Sequence, residues 1–216
     1  MLTLHYHPLA SYCHKALIAL YESDLAFTPR FVDLGDPAGR DAHLALWPLG
    51  KMPVLEDHER GHVVPEATII LEYLATWYPA ARWLVPADPA QAWLARLRDR
   101  FYDHYVNDPM GKIVTDELRP AGGRDPHGVE QARATLRTAY DVMERELTGT
   151  WAAGEAFTLA DCAAAPALFF ASRIERFGPG HRRAAAYLAR LCQRPSVARV
   201  LREAEPYFAQ VPVSIV

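Results

Sequence analysis

No stretch of this 216-residue sequence approaches the roughly eighteen consecutive apolar residues that a membrane helix needs. Its start, MLTLHYHPLASYCHK, lacks the basic segment followed by an apolar one that marks a secretory leader, so a cytoplasmic address is expected. Cysteine is scarce. Cys13, Cys162 and Cys192 are odd in number and widely spaced, which fits free thiols in a reducing compartment and not a disulfide framework. Charge of one sign is lacking as well: the net charge is −3, with no basic stripe and no acidic tail, so nucleic acid is not an expected partner. The pairs His5/His7 and His58/His62 have no cysteine or carboxylate cluster to complete a metal site, and no metal is expected. Internal repeats and low-complexity tracts are missing too.

What remains is an ordinary globular composition, 50% hydrophobic and 23% charged, with a length that permits one large domain or two small ones. Leu2-Thr3-Leu4-His5-Tyr6 alternates as a strand does, and Pro8 ends it before a helical segment from Lys15 to Tyr21. Phe27 to Leu34 reads as a strand and Asp36-Pro37 as a helix start. Met52 to Asp57 and His62 to Val64 read as short strands joined at Glu59-Arg60-Gly61, followed by a helix from Thr68 to Tyr78. The order is β-α-β-α-β-β-α. Three prolines between Pro79 and Pro89 mark residues 80–89 as a linker. Beyond it every pattern is helical: Gln91 to about Tyr105, a stripe of Val129, Ala132, Leu136, Tyr140, Met143 and Leu147, then Leu159 to Ser172, Arg182 to Cys192 and Ser196 to Ala204. An α/β domain over residues 1–79 and an all-α helical bundle over residues 90–216 are therefore expected.

The loop from His7 to Lys15 leads from a strand into a helix, whose free N–H groups and dipole favour an anion such as a thiolate. Ser11 could donate its hydroxyl to that thiolate and lower the thiol's pKa. It could equally cap the helix, since Ser is among the commonest N-cap residues. Cys13 is a candidate redox nucleophile in the first helical turn, but a lone cysteine without a CxxC partner is more often a small buried residue. At Gly50-Lys51-Met52-Pro53, a cis Met52–Pro53 bond would free the Met52 backbone to pair with a bound peptide, although only about 5–6% of X–Pro bonds are cis. Pro65-Glu66-Ala67-Thr68 opens a helix whose N–H groups could hold a ligand carboxylate while Glu66 accepts from an ammonium; otherwise Glu66 is a first-turn acid complementing the dipole. Thr158-Leu159-Ala160-Asp161 has the form of a capping box. Tyr102, Tyr105, Met110, Phe169 and Phe170 either line an apolar pocket facing the first domain or belong to the core.

Taken together, a strand followed by Ser11, then Pro48-Leu49-Gly50-Lys51-Met52-Pro53-Val54-Leu55, Glu66-Ala67-Thr68-Ile69-Ile70-Leu71 and Phe157-Thr158-Leu159-Ala160-Asp161, resemble the cytosolic glutathione transferases in content, order and spacing. The resemblance spans essentially the whole chain. It implies a thioredoxin-like first domain, glutathione as co-substrate and a symmetric homodimer. By position, Ser11 matches the serine that activates the thiol in the serine-type classes, and Met52 and Pro53 match the residue and cis-proline that pair with the cysteinyl backbone. Lys51 falls where a side chain often reaches the glycyl carboxylate, and Glu66 and Ala67 match the pair holding the γ-glutamyl group. That family usually has Ser or Thr at the position of Ala67, so one hydroxyl is missing here. The implied function is conjugation of the glutathione thiolate to small hydrophobic electrophiles held near Tyr102 and Tyr105. The alternatives are a non-catalytic binding or regulatory protein on the same scaffold, or a glutathione-dependent thiol reductase or isomerase.

Overall fold

The computed structural model describes residues 1–210; the last six residues of the expected 90–216 domain lie outside the described residues. Four strands and three helices come first: β1 (Leu2–Tyr6), α1 (Ser11–Glu22), β2 (Phe27–Phe31), α2 (Pro37–Leu46), β3 (Val54–Asp57), β4 (His62–Pro65) and α3 (Ala67–Trp77). They form one sheet of order β2-β1-β3-β4, in which β1 pairs parallel with β2 and antiparallel with β3, and β4 closes as a hairpin on β3. This is the thioredoxin-like α/β arrangement. Leu4 and Leu55, opposite each other in register, meet Leu17 and Leu20 of α1 and Ile70, Leu71 and Leu74 of α3 in a continuous buried core.

β3 begins at Val54 and not at Met52, because Gly50 turns the chain at φ +64, a backbone state that glycine adopts without steric cost. The expected linker is not featureless. Pro79–Leu84 winds into a 3₁₀ helix whose Ala81 and Leu84 are fully buried. After it come α4 (Pro89–Phe101), a π-helical stretch Tyr102–Asn107, α5 (Asp108–Glu117), α6 (Pro126–Glu146), α7 (Leu159–Ile174), α8 (Arg182–Gln193) and α9 (Pro195–Ala204). Among the described residues no helix is long and apolar enough to cross a membrane.

Short-range chemistry sets the helix starts. Asp36, Asp88 and Asp125 each precede a proline and each accept a backbone N–H three residues on, from Gly39, Gln91 and Gly128 at 2.8–2.9 Å. Thr158 and Asp161 form the expected reciprocal box, with Thr158 N–H donating to Asp161 Oδ2 at 2.8 Å. Asp161 does more than cap: its other oxygen accepts from Ala152 N–H at 2.8 Å and from the Tyr187 hydroxyl at 2.6 Å, tying α7 to α8 and to the preceding loop.

The two domains meet through α1. Lys15, 1% exposed, stands just before the apolar stretch Ala16–Leu20 and places its ammonium 2.6 Å from Asp99 Oδ1 and 2.9 Å from Asp103 Oδ2. It also donates to the Thr68 hydroxyl at 2.7 Å. One cation thus joins α1, α3, α4 and the π-helical stretch. Burial, added to by Asp99, raises the Asp103 pKa above its ordinary value against the pull of Lys15 and Arg100. Replacing Lys15 by Met leaves two buried carboxylates to share the single half-exposed guanidinium of Arg100, and urea denaturation is expected to show a loss of about 3–5 kcal/mol.

His14, also 1% exposed, donates from Nε2 to the Pro8 carbonyl, and its ring lies 5.5 Å from that of Phe170 in α7. Burial outweighs the Pro8 bond and pushes its pKa from 6.5 down to about 4. An unfolded chain protonates this imidazole near its ordinary value while the folded chain does not, so stability is lost as pH falls through the window between them. Urea curves at pH 7.5 and 4 are expected to show His14→Gln losing about 3 kcal/mol less than the unaltered protein on acidification.

Candidate active site

The loop after β1 delivers the chain into α1 with Ala10 in extended conformation as the N-cap, so Ser11 is the first helical residue and does not cap the helix. Its hydroxyl donates across the domain boundary to Asn107 Oδ1 at 2.6 Å. Beside it the Tyr12 hydroxyl donates to Asp108 Oδ1 at 2.9 Å, and His104 Nδ1 lies 3.2 Å from Asp108 Oδ2. Burial, with the Asp103 and Asp108 charges, raises the Tyr12 pKa well above its ordinary value, so the phenol keeps its proton.

On the other wall, the Lys51 carbonyl accepts from His43 Nε2 at 3.0 Å, and the Met52–Pro53 bond is cis. Glu66 stands at φ 69 and ψ 120, a strained conformation for a residue with a Cβ, and its carboxylate makes no bond to the helix it precedes. It therefore does not serve as an ordinary cap. The first intrahelical bond of α3 is from Ile70 N–H to Glu66 C=O at 2.8 Å, which leaves three earlier N–H groups without helical acceptors.

Lys51, Met52, Pro53, Glu66 and Ala67 all line one interdomain cleft of about 560 Å³. Tyr12, Thr68 and Ile69 complete its first-domain side; Arg100, Asp103, His104 and Asp108 supply the other. Ser11 lies next to Tyr12 but is not among the lining side chains.

Two expected electrophile contacts are corrected. Tyr102 is 1% exposed and packs in the core with its ring 6.4 Å from that of Tyr187, whereas Tyr105 is 55% exposed and lines a separate groove of about 440 Å³ against α6. The cause is the π-helical stretch from Tyr102 to Asn107, whose i→i+5 bonding breaks the face spacing that a continuous α-helix would have kept. Asp103 and Asn107 are turned to α1 in place of the tyrosines. Met110, Phe169 and Phe170 are core residues. The cleft wall expected to be apolar is charged.

Sequence reasoning missed Tyr12, Arg100, Asp103 and Asp108. One signal was available: a lone lysine at the head of an apolar helical run requires a buried counter-charge, and Asp99 and Asp103 stand one helical turn apart.

Residues 4–82 match the family model described as the glutathione S-transferase N-terminal domain, and residues 126–202 match that of the C-terminal domain. The chain belongs to the glutathione S-transferase family. It is 32% identical over 183 residues to FtsZ-localized protein A of Caulobacter vibrioides, covering 82% of this chain and 78% of that protein. It is 34% identical over 128 residues to the glutathione S-transferase-like protein LUC7 of a Fusarium species, spanning 59% of this chain and 58% of that one. A crystal structure of a glutathione S-transferase from Methylobacillus flagellatus with glutathione bound superposes with a TM-score of 0.82 at 25% identity, covering 93% of this chain and 98% of that chain.

Cys13 is fully buried, and burial pushes its thiol up to about 12, outweighing a hydrogen bond involving the His7 backbone. A thiol so placed is a poor nucleophile. Alkylation with iodoacetamide at pH 8 under native conditions, followed by peptide mass mapping, is expected to modify the half-buried Cys192 and to spare Cys13 and the buried Cys162.

Proposed function

We propose that the protein is a glutathione transferase of the serine type. The carrying observation is that the five residues expected to hold glutathione, Lys51, Met52, Pro53, Glu66 and Ala67, line a single cleft at the start of α1 and α3. In this reading the Met52 backbone pairs with the cysteinyl unit, Lys51 meets the glycyl carboxylate, and Glu66 meets the ammonium of the γ-glutamyl group. The thiol lies against the first turn of α1, whose dipole favours the thiolate. Its proton leaves to solvent.

Ser11 has one proton to give, and Asn107 holds it in the ligand-free arrangement. A flip of the Asn107 amide would present Nδ2 to Ser11 Oγ and free the intact hydroxyl to donate a hydrogen bond to the sulfur. The thiolate then attacks a small electrophile; the charged wall opposite favours one that carries polar groups besides the hydrophobic body expected from the sequence. Exposed apolar side chains on β4, α3 and α4, among them Val63, Ile69, Trp77, Trp93 and Leu97, support a homodimer. The proposal keeps residues 1–79 as the glutathione-binding domain, 80–89 as linker and 90–216 as the helical domain, in a cytoplasmic protein.

A second reading, a non-catalytic binding protein on this scaffold, is favoured by Ala67, which lacks a hydroxyl, and by a relative whose name records localisation with FtsZ and not catalysis. The thiol-reductase alternative is disfavoured by the buried, protonated Cys13. Calorimetric titration with glutathione is expected to show binding, and Ser11→Ala is expected to lower kcat/KM for conjugation by about 10²–10³-fold, the loss typical of one donor to a developing anion. Unchanged turnover in Ser11→Ala removes Ser11 from the mechanism, and binding without any turnover selects the non-catalytic reading.

A further inference from the structure

We infer that Arg100 binds the α-carboxylate of the γ-glutamyl group, supplying the donor that Ala67 lacks. The inference rests on the proposed binding of glutathione in the cleft. Thr68, the nearest hydroxyl to the vacancy at residue 67, is already committed: it accepts from Lys15 Nζ at 2.7 Å and donates its single proton to Asp99 Oδ2 at 2.8 Å. It has no donor left for a ligand.

Arg100 has one. Its Nε and Nη2 donate to Asp99 Oδ2 at 3.0 and 2.8 Å, and Nη2 also meets Asp103 and Thr68. These bonds fix the plane of the guanidinium, while Nη1 has no partner among the described residues and the side chain, 45% exposed, lines the cleft with Glu66 and Ala67. A guanidinium held through Nε and Nη2, with Nη1 alone free, suits a ligand carboxylate oxygen, because its orientation is set before the ligand arrives.

The charges around the cleft agree. Lys15 and Arg100 balance Asp99 and Asp103, so the cluster as a whole carries no net charge and the free Nη1 acts through directed hydrogen bonds. Glu66 and Lys51 then stand as one acid and one base on the first-domain wall. Arg100 with Glu66 matches the carboxylate and ammonium of an amino-acid headgroup, and Lys51 matches the carboxylate at the far end of a tripeptide.

The test is a side-chain and ligand cycle by calorimetry, comparing glutathione with 4-aminobutanoyl-cysteinyl-glycine, the same tripeptide without the α-carboxylate. The unaltered protein is expected to prefer glutathione by about ten- to a hundredfold, the range of a charge-assisted bond. In Arg100→Gln that preference is expected to collapse while affinity for the analogue holds, and adding Ala67→Ser to Arg100→Gln is expected to restore part of it. If Arg100→Gln keeps the full preference, or weakens both ligands equally, Arg100 has only a structural role and the inference is overturned while glutathione binding stands. If the unaltered protein binds neither ligand, the proposed function itself fails and this inference with it.

Discussion

The ammonium of Lys15 is the constraint around which the two domains are arranged. Removing a lysine from water costs several kcal/mol, and this one is recovered only because two carboxylates converge on it from the far side of the boundary and a hydroxyl from its own domain. Asp99 comes from α4, Asp103 from the π-helical stretch and Thr68 from the first turn of α3. Moving any of them takes a partner from a buried charge. The domain angle, and with it the width of the cleft beside Thr68, is fixed by charge pairing and not by apolar contact alone, which tolerates sliding.

The cleft inherits its character from that cluster. Because Thr68 and Asp103 belong both to the cluster and to the lining, the same atoms that hold the domains together form the floor against which a ligand would rest. The strained backbone of Glu66 persists next to them because α3 is held at both ends: Thr68 by Lys15 and Asp99, and the far end by Tyr73 and Tyr78, whose hydroxyls both donate to Asp57 at 2.8 and 2.6 Å. Burial alone would raise the Asp57 pKa, but these phenols and Arg60 outweigh it and keep the carboxyl well below its usual range. A rigid helix start is what allows one residue to sit at positive φ.

Local signals in the sequence were sufficient for most of the fold. Alternation in Leu2–Tyr6, the Asp-Pro at residues 36 and 37, and the Thr158 to Asp161 box each act over four or five residues, and each element formed where its chemistry required. The five glutathione-associated positions gathered in one cleft because they sit at fixed offsets from strand ends and helix starts. The second-domain wall was not legible for a physical reason. Its side-chain directions depend on a π-helical stretch, and the sequence Tyr102-Asp103-His104-Tyr105-Val106-Asn107 carries no proline or glycine that would announce one. The sequence pattern predicts one α-helix to about Tyr105 and the resemblance implies an electrophile near Tyr102 and Tyr105, whereas the structure sends Asp103, His104 and Asp108 to the cleft.

The two hydroxyls at the start of α1 differ in what it would take to redirect them. Tyr12 donates to Asp108, an ionised acceptor, and such a bond is about twice as strong as one between neutral groups. Withdrawing that proton would also leave a carboxylate short of a donor near the place where a thiolate is proposed to form, setting two negative charges side by side. Ser11 donates to a neutral amide that can reverse its own polarity by rotating, so its hydrogen bond can turn to a sulfur, the proton staying on Ser11, while Asn107 stays hydrogen-bonded. Asp108 works in the same direction: by occupying the Tyr12 phenol it leaves the serine as the hydroxyl that can respond to an arriving anion. On this ground the proposed mechanism assigns the thiolate to Ser11, although Tyr12 is the residue that faces the cleft.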